Sequence, residues 1–214
     1  KKLLNRLQSA ASTPLLVGQD AEWGQAMRLD STYKFPTSLT VGAAGGGMDA
    51  YDLGHALARE CSAVGVHMSF SPVLDVNTNP GNPIIGARSF GSDPNRVNAL
   101  GVQVVKGIQA QGVLACGKHF PGHGDTQQDS HKTLPKVDRT LKELMEVEWV
   151  PFKGAIDAGV SAIMIAHLNI PSIEPSGKPT SLSHKVINGI LREQWGYDGL
   201  VITDALNMKG AAAF

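Results

Sequence analysis

Short apolar runs recur along the chain, each followed by a glycine- or proline-rich polar loop and then by residues with helical periodicity. The runs are PLLVGQD (14–20), GVHMSFSPVLDV (65–76), GVLACGKHF (112–120), GVSAIMIAHL (159–168) and DGLVITDAL (198–206). Between the second and third, Val97, Leu100, Val104 and Ile108 repeat with helical period, and Asp93 before Pro94 is placed to cap the helix they predict. Residues 49–63, 140–158 and 184–195 have the same character. At the N-terminus Leu3, Leu4 and Leu7 share one face of an amphipathic helix. Buried apolar strands alternating with helices predict parallel βα units.

Five such units suit a doubly wound sheet or a (β/α)8 TIM-type barrel, and the polar residues favour the barrel. Asp20, Asp75, Lys118 with His119, His167 and Asp204 all stand at or just beyond the C-terminal ends of the apolar runs. In a barrel that is the face where catalytic groups from several strands collect. A dinucleotide-binding sheet would open its first helix on a G-x-G-x-x-G turn, and the glycines at 42–47 follow no good strand. A complete barrel takes about 250 residues. The expectation is one α/β barrel domain over residues 1–214, truncated at both ends and carrying about five of the eight units.

Composition narrows the partners. The chain has 19 basic and 19 acidic residues and zero formal net charge, so no electrostatic footprint points to nucleic acid or anionic lipid. No run of 18 apolar residues exists, and no membrane span is expected. KKLLNRLQSAAS lacks the apolar core of a signal peptide. With the start of the chain expected to lie elsewhere, cytoplasm and periplasm both stay open. Cys61 and Cys116 sit in apolar contexts and read as buried small hydrophobes.

The densest chemistry lies in CGKHFPGHGDTQQDSH, residues 116–131. His119 and His123 have an H-x3-H spacing, but Pro121 and Gly122 prevent the shared helical face that a zinc motif uses. A loop metal site is the lesser alternative. Asp129 stands two residues before His131, so in extended chain both project to one side. An aspartate bonded to one ring nitrogen fixes the tautomer and supports the imidazolium, leaving the other nitrogen to act as general acid and base. Taken singly each residue has a plainer role: a solvated Asp-His pair, a strand-end ion pair at Lys118, a helix cap at Asp204. Their convergence at one barrel mouth favours chemistry.

GKHFPGHGDTQQDSHKTLP resembles the signature of glycoside hydrolase family 3, in its β-N-acetylglucosaminidase branch. QDAEWGQAMR, SPVLDVNTNPGNPIIGARSFGSDP, SAIMIAHLNIP and GLVITDALNM match in the family's order. The resemblance implies a retaining enzyme that removes terminal β-linked N-acetylglucosamine, with peptidoglycan fragments (muropeptides) as substrate and no cofactor or metal. It makes Asp204 the nucleophile, His131 the acid/base and Asp129 its partner. Asp20, Arg28, Arg88, Lys118 and His119 would hold the sugar hydroxyls, with Asp75 and His167 as walls or supporting groups. The first motif departs from the family's double glycine and arginine, reading Glu22, Trp23, Gly24, Gln25. Trp23 could stack on substrate, narrow the pocket or pack under the loop. A β-glucosidase-type or phosphorolytic member and a non-catalytic sugar-binding module are the alternatives, and a further domain in a longer chain is compatible with all of them.

Overall fold

A computed structural model describes residues 1–127, 133–212 and 214. Its centre is five parallel strands: β1 (Gly18–Gln19), β2 (Met68–Ser69), β3 (Leu114–Phe120), β4 (Ala162–Ile165) and β5 (Leu200–Thr203). They lie in chain order, β1-β2-β3-β4-β5. A doubly wound sheet changes direction at a switch point. An arc in which every strand lies beside its sequence neighbour is how a (β/α)8 barrel grows. The fold is α/β, an incomplete TIM-type barrel segment with five strands, as the apolar runs predict.

The paired strands are shorter than those runs. Only Gly18 and Gln19 of PLLVGQD pair with β2, while Leu15 and Leu16 are 42% and 57% exposed. The Gln8 side chain takes both backbone groups of Leu15, accepting its N–H at 2.9 Å and donating to its carbonyl at 2.7 Å, in place of a strand ladder. In the second run the ladder stops before Pro72, which has no N–H to donate. Contact resumes at Val73, opposite Lys118.

Helices cover the outer face. α1 (Lys2–Ala10) buries no side chain fully, and α2 (Ser38–Ala44) forms where the glycine-rich sequence gave no periodic signal. α3 (Gly47–Val64) packs on α4 (Pro94–Ala110) at close range, because a Cβ on Gly54 would overlap the Val104 carbonyl and one on Gly107 that of Tyr51. Asp93 caps α4 by accepting from the N–H groups of Asn95 and Arg96 at 2.8 and 3.4 Å, a contact worth about 1 kcal/mol. The pattern over 140–158 divides into α5 (Leu141–Glu146), capped by Thr140 and Glu143, and α6 (Trp149–Asp157). Pro151 cannot bond the carbonyl one turn back, so it sits in the first turn of a new helix. Lys185–Gln194 forms a π-helix.

Between helices and sheet, Leu57, Leu74, Val104, Ile108, Phe120, Phe152, Ile163 and Ile165 make the main core. Met68, Cys116, Ala162 and Met164 form a smaller cluster. Both cysteines are buried and free, and burial pushes the Cys116 thiol up to about 12, which makes it an inert apolar group. Among the described residues no helix is long and apolar enough to cross a membrane.

Candidate active site

Each strand leads toward the same end of the arc, where Asp20, Glu22, Met27, Arg28, Ile84, Arg88, Lys118, His119, His123, Met164 and Asp204 line a cleft of about 230 Å³. β3 supplies two adjacent polar residues to it, although neighbouring strand residues ordinarily point to opposite faces. The pairing explains this. Gly117 opposes Ile163 and Phe120 opposes Ile165, so β3 carries one extra residue over that interval. Such a bulge re-aims side chains, and here Lys118 and His119 both face the cleft.

Lys118 is almost wholly buried, its ammonium 2.8 Å from Asp20 Oδ1 and 2.7 Å from Glu22 Oε1. Arg28 holds the other Asp20 oxygen at 2.7 Å. Arg88 grips Glu22 with two parallel donors, Nε at 3.0 Å and Nη2 at 2.8 Å, the geometry that makes Arg–carboxylate pairs strong. Burial works against ionisation of Glu22, but Lys118 and Arg88 outweigh it and bring the carboxyl down to about 2. Asp20 is lowered in the same sense, its burial outweighed by Lys118 and Arg28. Burial would deprotonate Lys118, yet the two carboxylates hold its ammonium above the ordinary value.

Asp75, fully buried, organises the next turn. It accepts the backbone N–H of His123 at 2.7 Å, that of His119 at 3.2 Å and the His119 ring Nδ1 at 2.7 Å. Arg88 Nη2 lies 3.2 Å from His119 Nε2. A guanidinium only donates, so Nε2 accepts and Nδ1–H points to Asp75. Burial pushes Asp75 up, but His119 and the N–H donors keep its carboxyl below the usual range. His123, bonded to Thr126 Oγ1 at 2.8 Å, falls to about 4 through burial and the neighbouring His119, so its ring is neutral at pH 7.

The loop after β3 rests on a second carboxyl. Gly122, at φ 130°, leaves no room for a Cβ, which would press on the Glu148 side chain at 2.7 Å. Glu148 is fully buried, and neither of its oxygens has a hydrogen bond among the described residues. Arg139 Nε is 3.9 Å away and instead bonds Asp125 at 2.8 Å. Burial pushes the Glu148 carboxyl up to about 7.

On the opposite side Asp204 follows β5. Its N–H donates to the Ile165 carbonyl at 2.9 Å, and its Oδ1 accepts the N–H of Ala205 at 2.8 Å. The structure thus brings Asp20, Arg28, Arg88, Lys118, His119 and Asp204 into one cleft, from four stretches of sequence. Asp129 and His131 lie outside the described residues. Trp23 is half-buried and is not among the described residues that line the cleft. Asp75 and His167 stand behind the wall. Sequence reasoning passed over Glu22 as part of a departure, yet it is the carboxylate that ties Lys118 to Arg88. A buried lysine and arginine needing a shared anion was the available signal.

Among the described residues no group of three or more His, Cys, Asp or Glu is arranged to hold a metal ion. The model of the glycosyl hydrolase family 3 N-terminal domain matches residues 2–214. A beta-hexosaminidase A of Pseudoalteromonas piscicida is 36% identical over 99% of this chain and 39% of its own length. The solved family 3 β-N-acetylglucosaminidase of Paenibacillus sp. str. FPU-7 superimposes with a TM-score of 0.94 at 44% identity, covering 100% of this chain and 41% of that one. A structure of the β-glucoside phosphorylase BglX gives a TM-score of 0.95 at 31% identity, over 99% of this chain and 40% of its own. The chain therefore spans about two fifths of the length of these relatives.

Proposed function

Because the chain belongs to the glycosyl hydrolase family 3 N-terminal domain family, we propose that its cleft is the catalytic part of a retaining β-N-acetylglucosaminidase. Its substrate is a terminal β-linked N-acetylglucosamine, as in muropeptides. One observation carries the reading. A carboxylate, Asp204, makes no ion pair among the described residues and shares a cleft with acidic, basic and imidazole groups already paired to one another.

The chemistry divides between the two. Asp20 accepts from sugar hydroxyls, while Arg28, Arg88 and Lys118 donate to them. Asp204 attacks the anomeric carbon, and the bond to the leaving oxygen breaks as His131 gives that oxygen its proton. Water then attacks the same carbon, its proton returns to His131, and the Asp204 carboxylate is released. Asp129 supports the imidazolium between the two steps. The roles of Asp129 and His131 rest on the DSH motif.

The test uses the full-length protein with a chromogenic β-N-acetylglucosaminide and the matching β-glucoside, in the presence of EDTA. Turnover of the first alone is expected, with a loss of about 10⁴-fold or more in Asp204→Ala. Equal turnover of the glucoside, or an active Asp204→Ala, overturns the reading. Adding phosphate separates the acceptors. Release of a sugar 1-phosphate would move the assignment to a phosphorylase.

A further inference from the structure

The His167 ring, just past β4, is completely buried and has both nitrogens engaged. Nε2 lies 3.1 Å from the Ala205 carbonyl oxygen, which can only accept, so Nε2 carries the hydrogen. Nδ1 lies 2.6 Å from Ser181 Oγ and accepts from that hydroxyl. Ser181 is buried in a short 3₁₀ turn, Thr180–Leu182. That turn is strapped across His167: Thr180 Oγ1 donates to the Ala166 carbonyl at 2.7 Å and accepts from the Leu168 N–H at 3.1 Å. The imidazole therefore cannot turn, and its tautomer is set.

What it holds is the residue after Asp204. The N–H of Ala205 orients the Asp204 carboxylate, and the carbonyl of Ala205 is the group His167 pins. On the other flank, Asp204 is fixed by its own N–H to Ile165. The carboxylate is exposed to the cleft, yet its backbone is tied on both sides by buried groups. We infer that His167 is a positioning residue for Asp204, acting through Ala205, with Ser181 holding the ring in the required tautomer. This rests on Asp204 being the nucleophile.

A support of this kind affects the attack and leaves sugar binding alone, because the residues that would hold hydroxyls stand on the β1–β3 side. Misplacing a nucleophile by about 1 Å costs on the order of 100-fold. In the full-length protein, His167→Ala is expected to lower kcat by about that factor with KM changed less than about threefold. The rate of covalent trapping by a 5-fluoro N-acetylglucosaminyl fluoride should fall in parallel. His167→Gln keeps an N–H for Ala205 and an oxygen for Ser181, and should recover about tenfold of the loss. Ser181→Ala should lower kcat by about fivefold, since the ring keeps its Ala205 bond but not its fixed tautomer.

Wild-type trapping rates in His167→Ala or Ser181→Ala would overturn the inference. So would a rise in KM alone, or rate losses that follow the fall in melting temperature across the three variants, with no advantage for Gln. If His167→Ala does not fold, the Gln and Ser181 variants carry the same criteria. Peptide mass of the trapped adduct separates the two levels. An adduct away from Asp204 defeats the nucleophile assignment itself, whereas an adduct on Asp204 formed at an unchanged rate defeats only the role of His167.

Discussion

The two sides of the cleft are built from different materials. On the β1–β3 side, Asp20, Glu22, Arg28, Arg88 and Lys118 form a continuous set of ion pairs, much of it buried. On the β4–β5 side, Asp204 stands on a support made of neutral hydrogen bonds from Ala205, His167 and Ser181. On the proposed function, charges that recognise neutral hydroxyls can be tied to one another in advance, since a hydroxyl needs only a lone pair or a hydrogen from each. Asp204, as the proposed nucleophile, would lose electron density it has to donate if it were tied to a cation. The ionic side fixes geometry, and the neutral side keeps one carboxylate available.

The largest test of that contrast is Lys118→Met. Removing the buried cation between Asp20 and the buried Glu22 carboxylate should cost roughly 3–5 kcal/mol, read by urea unfolding. In a Glu22→Gln background the same change should cost clearly less, because the pair shares its energy. A loss under about 1 kcal/mol would mean the ionic side is a loosely screened surface after all.

Glu148 offers the next largest effect, because it is a buried carboxyl with no hydrogen-bonded partner among the described residues. Its folded value of about 7 lies above the ordinary 4.5, so between those pH values the folded chain keeps a proton that the unfolded chain has lost. Stability should fall as pH rises from 4.5 to 7 and then level off, by up to about 3 kcal/mol. Glu148→Gln should flatten that slope when unfolding is compared at pH 5 and 7.5. Glu22 has the opposite sign: its value of about 2 gives stability that is present above 4.5 and is lost on acidification toward 2.

The smallest effect belongs to Arg28, whose pair with Asp20 is 46% and 36% exposed. Arg28→Ala should change stability by less than about 1 kcal/mol. If the ionic side binds substrate, the same variant should nevertheless raise KM.

The sheet was legible because parallel strands buried on both faces leave apolar runs, and five runs became five strands. Their ends were not legible. Leu15 and Leu16 belong to an apolar run but lie exposed, because Gln8 satisfies the Leu15 backbone from a helix a few residues earlier. The break at Pro151 was visible in principle, since a proline inside a helical pattern marks a restart. α2 was hidden because its glycine is selected by closeness to Phe90, where a Cβ on Gly42 would overlap the carbonyl. In the site, Asp20, Lys118, His119 and Asp204 could be named from their places at strand ends, and Arg28 and Arg88 only from the resemblance to the family. The tie from Glu22 to Lys118 and that from His167 to Ala205 join residues 96 and 38 positions apart, and neither leaves a local pattern. The bulge that turns Lys118 and His119 to one side is equally silent, being a property of two strands together.

Asp75 shows how little room some of these arrangements leave for chemistry of the same shape. One of its oxygens takes the His123 N–H and the other takes the His119 ring hydrogen, with the His119 backbone N–H between them. An asparagine would fill the same volume. Whichever way its amide faced, however, an NH2 would meet an N–H, hydrogen against hydrogen. The site selects its residue by lone pairs rather than by size, so an isostere that fits the space fails the valence.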